Sequence, residues 1–462
     1  MSFDLIVLGS GPGGYVAAIR ASQLGMNVAV VEKSELGGIC LNWGCIPTKA
    51  LLKSAQVYNY ISHSEDYGIQ IEGEVKPDFE KVIRRSREVA NNMSKGIEFL
   101  FKKNKITVFK GFGKIIEPGK ISVTKEDNNE EIVEASKIII ATGARSKEIP
   151  SFKQDKKYII GYREALVLDK LPESMAVIGS GAIGTELAFF YKSMGTDVTI
   201  IEYLPELVPI EDEEVSKQLA RSFKKAGIKV MTGTEVNNVE IKDGKCIVNY
   251  TDKKGSTSFS CDIVLSAVGI TCNIENIGLE ELGIELEYGR IKVDENYATN
   301  IPGIYAIGDI ILGPALAHVA SAEGIYCVEK MAGLNIDPID YNNIPSCVYT
   351  TPEIASVGLT EKQLKEQGIE YKVGKFPFTA SGKATAAGNK DGFVKLLFDI
   401  NDELLGAHFI GDNVAEMIAE AVVLKKVKGK GMELVKSIHP HPSMSEAIME
   451  AAAAAHNEVI HL

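Results

Sequence analysis

The 462 residues amount to about three average domains, so two to four well-filled cores are expected. Apolar residues make up 45% and charged residues 24%, which excludes a disordered chain, and no apolar run is long enough to cross a bilayer. The 50 basic against 62 acidic residues give a net charge of -12, leaving no broad positive surface for nucleic acid.

The first residues run directly into an apolar strand at 4–8, without the basic leader and cleavage site of a secretory signal. A cytoplasmic protein or a processed matrix form is expected. Gly9-Ser10-Gly11-Pro12-Gly13-Gly14 follows, then a helical pattern over 15–25 and a second strand over 27–32 that ends in Glu32. This is a βαβ unit with a dinucleotide fingerprint. Its glycines let the backbone approach a pyrophosphate, and the helix N-terminus adds unpaired N–H groups and positive potential. The acid near the end of the second strand would accept a ribose hydroxyl.

Next comes Gly37-Gly38-Ile39-Cys40-Leu41-Asn42-Trp43-Gly44-Cys45-Ile46-Pro47-Thr48-Lys49. Of seven cysteines, only Cys40 and Cys45 are close enough in sequence to suggest a local pair. Zinc usually takes two CxxC knuckles, and neither that spacing nor a second knuckle is present. Two thiols packed as small hydrophobes remain the plainer alternative. On a regular helix five residues rise about 7.5 Å, beyond the roughly 7 Å that a disulfide spans. A bond here therefore needs a distorted backbone, which Gly44 permits, and such a bond is easier to reduce. Pro47 suits the first turn of a helix running on through 49–52, which puts Cys45 at a helix N-terminus. That position favours a persistent thiolate on Cys45 and leaves Cys40 to exchange with substrate.

The first unit then recurs. A strand over 175–178, Gly179-Ser180-Gly181-Ala182-Ile183-Gly184, a helical pattern over 185–195 and a strand over 197–202 ending in Glu202 repeat its order. A carboxylate at Glu202 would repel a 2′-phosphate, and Tyr203 adds no positive charge, so this site should prefer NAD to NADP. Strands are expected over 245–250, 261–268 and 303–307, the last leading into Gly308-Asp309. From about Tyr341 the pattern becomes α+β, with a strand over 393–400 and helices from Ala415 and from Ser443.

Near the end stands His439-Pro440-His441-Pro442-Ser443-Met444-Ser445-Glu446. Prolines on both sides of His441 hold its ring on a rigid loop, and histidine can take a thiol proton near neutral pH. Glu446 fits a capping box with Ser443 and equally a carboxylate that orients His441; both readings stand.

Two fingerprints, a C-x4-C pair followed by Lys49 and an HPHP motif, in that order, resemble the pyridine nucleotide-disulfide oxidoreductases over the full length, the dihydrolipoamide dehydrogenases among them most closely. The resemblance implies an α/β fold: an FAD-binding domain (1–145 and 272–340), a Rossmann-like NAD-binding domain (146–271) and a C-terminal α+β dimerisation domain (341–462). It implies FAD held by Gly9, Gly11, Gly13, Gly14, Glu32, Lys33, Gly38, Lys49, Gly113, Thr142, Gly143, Ala144, Asp309, Ala315, Leu316, Ala317 and His318. NAD falls to Gly179, Gly181, Ile183, Gly184, Glu186, Glu202, Val236 and Gly269, and Lys49 pairs with Glu186 beside the flavin.

The same resemblance implies a redox disulfide between Cys40 and Cys45, and His441 as base with Glu446 behind it, both from the opposite subunit of a homodimer. Tyr349-Thr350-Thr351-Pro352-Glu353 and Gly406-Ala407-His408 resemble the interface domain. Partners implied are lipoyl domains and the core acyltransferase of a 2-oxoacid dehydrogenase complex, or a glycine cleavage system. Two departures stand out: Gly269-Ile270-Thr271-Cys272-Asn273 where Arg-x-Pro-Asn usually follows the glycine, and Thr48 where serine is more usual. No fused lipoyl domain is expected. A glutathione reductase-like enzyme should show basic residues near Glu202, and a mercuric reductase a C-terminal cysteine pair, both missing here. A non-catalytic flavoprotein subunit is disfavoured by Cys40, Cys45 and His441.

Overall fold

The computed structural model describes residues 2–462, in two compact units. One comprises the chain up to Leu51 with Glu80–Lys147 and Ile270–Ile339; the other comprises Leu52–Phe79, Glu148–Gly269 and Asp340–Leu462.

In the first unit, β1 (Ser2–Leu8), α1 (Pro12–Gln23) and β2 (Val28–Glu32) form the expected βαβ element. Then come α2 (Gly38–Trp43), α3 (Cys45–Ser62), which runs into the second unit, and α4 (Phe79–Lys103). β3 (Thr107–Lys110) extends a parallel sheet in the order β3-β2-β1-β6, where β6 is Glu130–Ile140. Leu5, Ile6 and Val7 are all fully buried, as a parallel strand covered on both faces requires. β4 (Phe112–Glu117) and β5 (Lys120–Thr124) add an antiparallel extension to the first half of β6, and the strand Ile304–Ala306 pairs in parallel with its second half.

Close packing draws Asp309 and the helix Ala317–Met331 toward the first glycine turn. A Cβ on Gly324 would lie 2.7 Å from Gly13 O, so that helix and α1 touch backbone to backbone. Arg20 locks the contact by donating through Nε (2.8 Å) and Nη2 (2.6 Å) to Glu329 Oε1.

The second unit holds three sheets. The first is parallel, in the order Lys229–Met231, Asp197–Ile201, Ser174–Ile178, Ile263–Ser266, Ile159–Ile160. An antiparallel meander runs through Glu235–Lys242, Lys245–Asp252 and Gly255–Cys261. The third sheet contains Ser346–Val348, Glu353–Gly358, Leu404–Gly411, Phe393–Phe398 and Lys372–Pro377, with Val414–Lys426 and Glu446–Ala455 packed on it.

Three expectations are corrected. The run 261–268 is two strands in different sheets, because Asp262 accepts from Ser174 N (2.8 Å) and Oγ (3.0 Å) and bends the chain between them. Both fingerprint helices start three residues early, at Pro12 and Ala182, since the glycine turns themselves wind into the first helical turn. The final helix begins at Glu446, so Ser443 is not its N-cap.

Charge is buried in the second unit. Lys395, 1% exposed, lies 3.0 Å from Asp212 Oδ1, 3.0 Å from Glu214 Oε2 and 2.6 Å from Glu361 Oε2. Beside Asp212, Glu211 has a buried Oε2 without a hydrogen-bond partner among the described residues. Burial pushes its carboxyl up to about 7, with Ser356 and Ser346 offsetting part of the rise. The unfolded chain therefore gives up this proton first, and stability falls as pH rises from about 4.5 to about 7. Glu211→Gln should raise stability by at most about 3 kcal/mol at pH 8 and change it little at pH 4.5. Denaturant midpoints at the two pH values check this, and equal shifts at both would refute it.

Candidate active site

The two fingerprints repeat in backbone form. Gly9 (φ +102°) and Gly179 (φ +98°) each bring the backbone so close to the neighbouring strand end that a Cβ would lie 2.4 Å from Ala141 O or Ala267 O. Gly14 and Gly184 pack on them: a Cβ would lie 2.0 Å from Gly9 O or 2.1 Å from Gly179 O. Gly11 and Gly181 have nothing within 4 Å of that position and leave the backbone open at the N-terminus of each helix. That is the form a pyrophosphate needs.

Both acids have a duty that sequence reading missed. Glu32 Oε2 accepts from Ser10 N (2.9 Å) and Ser10 Oγ (2.7 Å), and Oε1 from Ser34 N (2.8 Å). Glu202 accepts from Ser180 N and Oγ at 2.8 Å and from Leu204 N at 2.8 Å. Each carboxylate is thus a brace for its own glycine turn, with lone pairs left over for a ribose. The signal was present in the serine at the same place in both motifs.

Several of the other expected FAD residues lie in the first unit with defined surroundings. Gly308 N donates to the buried Glu323 (2.7 Å), and Arg290 Nη1 donates to Asp309 O (2.8 Å), fixing the backbone at Asp309. Burial raises the Asp309 carboxyl, with Arg290 opposing, and it accepts no hydrogen bond from the described residues. A hydroxyl-bearing group such as the ribityl chain of FAD has the donor chemistry that this carboxyl would accept. Gly113 has no room for a side chain, since a Cβ would lie 2.5 Å from Leu8 Cδ1. Ala317 and His318 open the helix Ala317–Met331, with Leu316 as its N-cap. Lys33 follows β2, Gly38 opens α2 where a Cβ would lie 2.6 Å from Gly11 Cα, and Lys49 lies on α3.

The unusual 269–273 segment is firmly placed. Ile270–Cys272 pairs antiparallel with Ala144–Ser146. Asn273 Nδ2 donates to Thr142 O (3.1 Å), Thr142 Oγ1 donates to Asn273 O (2.6 Å), and Arg145 Nη1 reaches Asn273 Oδ1 (3.0 Å). Asn273, the residue this segment shares with the family pattern, therefore braces Thr142 and Gly143 from the side, while Ile270 and Cys272 carry the departure.

Cys40 lies within α2 and Cys45 begins α3, with Gly44 (φ −145°, ψ −113°) breaking the helix between them. The distorted backbone expected from the spacing is present. The sulfurs are in hydrogen-bonding contact; that contact, burial and the charge on Cys45 push the Cys40 thiol up despite Lys49. The first thiolate of the reduced pair accordingly rests on Cys45, at the helix N-terminus. Thr48 Oγ1 donates to Gly44 O (2.6 Å), so the threonine keeps the hydroxyl bond that the turn uses.

In the second unit Glu186 is buried, and its Oε1 accepts from Tyr349 N (3.0 Å). Ile183 stays exposed near the open turn, Val236 sits in the meander and Gly269 (φ +107°) closes the unit's sequence segment. His441 Nδ1 pairs with Glu446 Oε1 at 2.8 Å, while Glu446 Oε2 accepts from Ser443 N (2.8 Å). Burial would raise the Glu446 carboxyl, but the Ser443 N–H and His441 outweigh it and hold it down. His441 keeps 77% of its side chain exposed and has Nε2 available; His439, 7% exposed, is engaged through Nε2 by Glu420 (2.8 Å) and through Nδ1 by Ser437 O (3.0 Å). Of the two histidines, His441 is the one that presents its ring to solvent.

Register also brings together a pair the sequence did not suggest: Cys246 and Cys261 are cross-strand partners, both buried. They belong to a hydrophobic cluster, with their sulfurs in hydrogen-bonding contact. No group of His, Cys, Asp and Glu suited to hold a metal occurs among the described residues, and no helix there is long and apolar enough to cross a membrane.

Family models for pyridine nucleotide-disulphide oxidoreductases match residues 3–324, and for their dimerisation domain residues 344–452. The chain belongs to this family. It is 46% identical to the dihydrolipoyl dehydrogenase of Rhizobium etli and 45% identical to that of Bacillus subtilis, over 99% of both chains in each case. It is 42% identical to the mitochondrial dihydrolipoyl dehydrogenase of Pisum sativum, over 99% of this chain and 92% of the other. Among solved structures it resembles LpdA of Mycobacterium tuberculosis, with a TM-score of 0.91 at 26% identity over 97% of this chain and 98% of the other. The oxidoreductase family thus accounts for both glycine turns and for the C-terminal sheet as a dimerisation domain.

Proposed function

We propose that the protein is a dihydrolipoyl dehydrogenase, which oxidises protein-bound dihydrolipoamide at the Cys40–Cys45 pair and reduces NAD+. The observation that carries this reading is the cysteine pair itself, split by Gly44 with Cys45 at a helix N-terminus, in a chain similar over its full length to enzymes of that name.

His441, charge-balanced by Glu446, takes the proton of a substrate thiol. The resulting thiolate attacks Cys40 Sγ, the Cys40–Cys45 bond breaks, and Cys45 leaves as the thiolate its helix position favours. The second substrate thiol then displaces Cys40, closing lipoamide and leaving a dithiol in the protein. FAD, held by Gly9 to Gly14, Glu32, Lys33, Gly38, Lys49, Gly113, Thr142 to Ala144, Asp309 and Ala315 to His318, would carry the two electrons onward. Lys49 and Glu186 would serve as an ion pair beside it. NAD+ docks on Gly179 to Glu186, with Glu202, Val236 and Gly269.

The family's dimerisation domain supports a homodimer in which each subunit's His441 serves its partner's redox pair. A cytoplasmic site and lipoyl domains of a 2-oxoacid dehydrogenase or glycine cleavage complex as partners belong to the same reading. Glu202 predicts the nucleotide: kcat/KM for NAD+ should exceed that for NADP+ by at least about a hundredfold, because a 2′-phosphate would meet a carboxylate. Steady-state lipoamide assays with both nucleotides test this, and comparable values would contradict it.

A further inference from the structure

The chain's single tryptophan, Trp43, stands between the redox cysteines in sequence. Arg87 of α4 lays its guanidinium over the Trp43 ring, 4.1 Å from the centroid, and its Nη1 donates to Asn42 O at 2.5 Å. Asn42 O belongs to the last turn of α2, where carbonyls lack partners within the helix. One guanidinium thus caps the helix and stacks on its final side chain.

The rest of the turn is tied as well. Asn42 Nδ2 donates to Leu36 O (2.9 Å) and Gly38 O (3.0 Å), and Trp43 Nε1 donates to Glu35 Oε2 (3.4 Å). Beyond the break at Gly44, Arg85 of α4 donates to Ala50 O (2.8 Å). Helix α4 therefore grips the chain on both sides of the hinge that separates the two cysteines.

We propose that Arg87 is a positioning residue for the redox pair: through Trp43 and Asn42 it fixes the turn that presents Cys40 to Cys45, and so sets the balance between disulfide and dithiol. The inference rests on reading those cysteines as the redox pair. A fixed turn raises the effective concentration of one thiol at the other and favours the closed disulfide. Loosening it makes the disulfide easier to reduce. A lysine would keep the charge but lose the planar face and the fork.

The test equilibrates holoenzyme anaerobically with mixtures of reduced and oxidised dithiothreitol. In this exchange the Cys40–Cys45 disulfide and reduced dithiothreitol give two protein thiols and oxidised dithiothreitol. Alkylation and peptide mass report the state of Cys40 and Cys45, and Trp43 fluorescence follows the same titration. Arg87→Met should be reduced at about one-tenth of the native ratio of reduced to oxidised dithiothreitol, a shift of about 30 mV, and Arg87→Lys should fall between the two. A midpoint within twofold of native in Arg87→Met would overturn the inference. Should Arg87→Met fail to retain FAD, Trp43→Leu, which removes the stacking face and the bond to Glu35 but leaves Arg87 and Asn42 in place, must show a shift in the same direction, and a native midpoint there overturns it equally. Because no lipoamide enters the assay, failure of the proposed activity and failure of this inference are read separately.

Discussion

Cys45→Ser is expected to lower dihydrolipoamide-dependent reduction of NAD+ by at least about a thousandfold while leaving NADH oxidation by ferricyanide within about twofold of native. The first reaction needs a sulfur that leaves as a thiolate at the head of α3, and a serine alkoxide is far too basic to replace it. The second needs nucleotide and flavin but no dithiol. Cys40→Ser should abolish the same turnover for a different reason, because the exchange sulfur is gone while the helix-terminal thiol remains. Assaying both reactions on both variants separates a lost redox pair from a lost fold. A Cys45→Ser protein that still turns over lipoamide would remove the cysteines from the chemistry.

His441→Gln should lower the same turnover by about 10²- to 10⁴-fold, the range that a positioned general base contributes. Glutamine keeps a polar side chain in the loop and a partner for Glu446, so folding and FAD content should hold. The loss should shrink as pH rises toward about 9, where a substrate thiol ionises unaided. Glu446→Gln should cost less, since it leaves the base in place and removes only the carboxylate 2.8 Å from Nδ1. A pH–rate profile of His441→Gln parallel to native across that range would show that His441 moves no proton.

How far the sequence spoke depended on whether a feature was local. The glycine turns were legible because their spacing is local, with Gly14 packed on Gly9 and Gly184 on Gly179, although the contacts that exclude a side chain at Gly9 and Gly179 come from Ala141 and Ala267 far along the chain. The break at Gly44 was legible because helix geometry and disulfide length conflict over five residues. What stayed hidden depended on distant partners. Helix α4 carries buried Ile83, Ser86, Ala90, Ile97 and Phe101 at helical spacing, a pattern visible in sequence, yet its grip on Asn42 through Arg87 depends on a partner 45 residues away. The bend at Asp262 likewise depends on Ser174, 88 residues away, so the mostly apolar run 261–268 concealed a change of sheet. The departure at Ile270 and Cys272 hid what Asn273 does, because the Thr142 it braces comes to it from another part of the first unit.

The most direct test of the central claim is anaerobic two-electron reduction of the yellow holoenzyme by dihydrolipoamide, followed for a long-wavelength thiolate-to-flavin absorbance band and then challenged with NAD+ or NADP+. The account predicts that the band forms, that NAD+ discharges it and that NADP+ does not. A protein that dihydrolipoamide leaves oxidised, but that NADPH reduces, would contradict it.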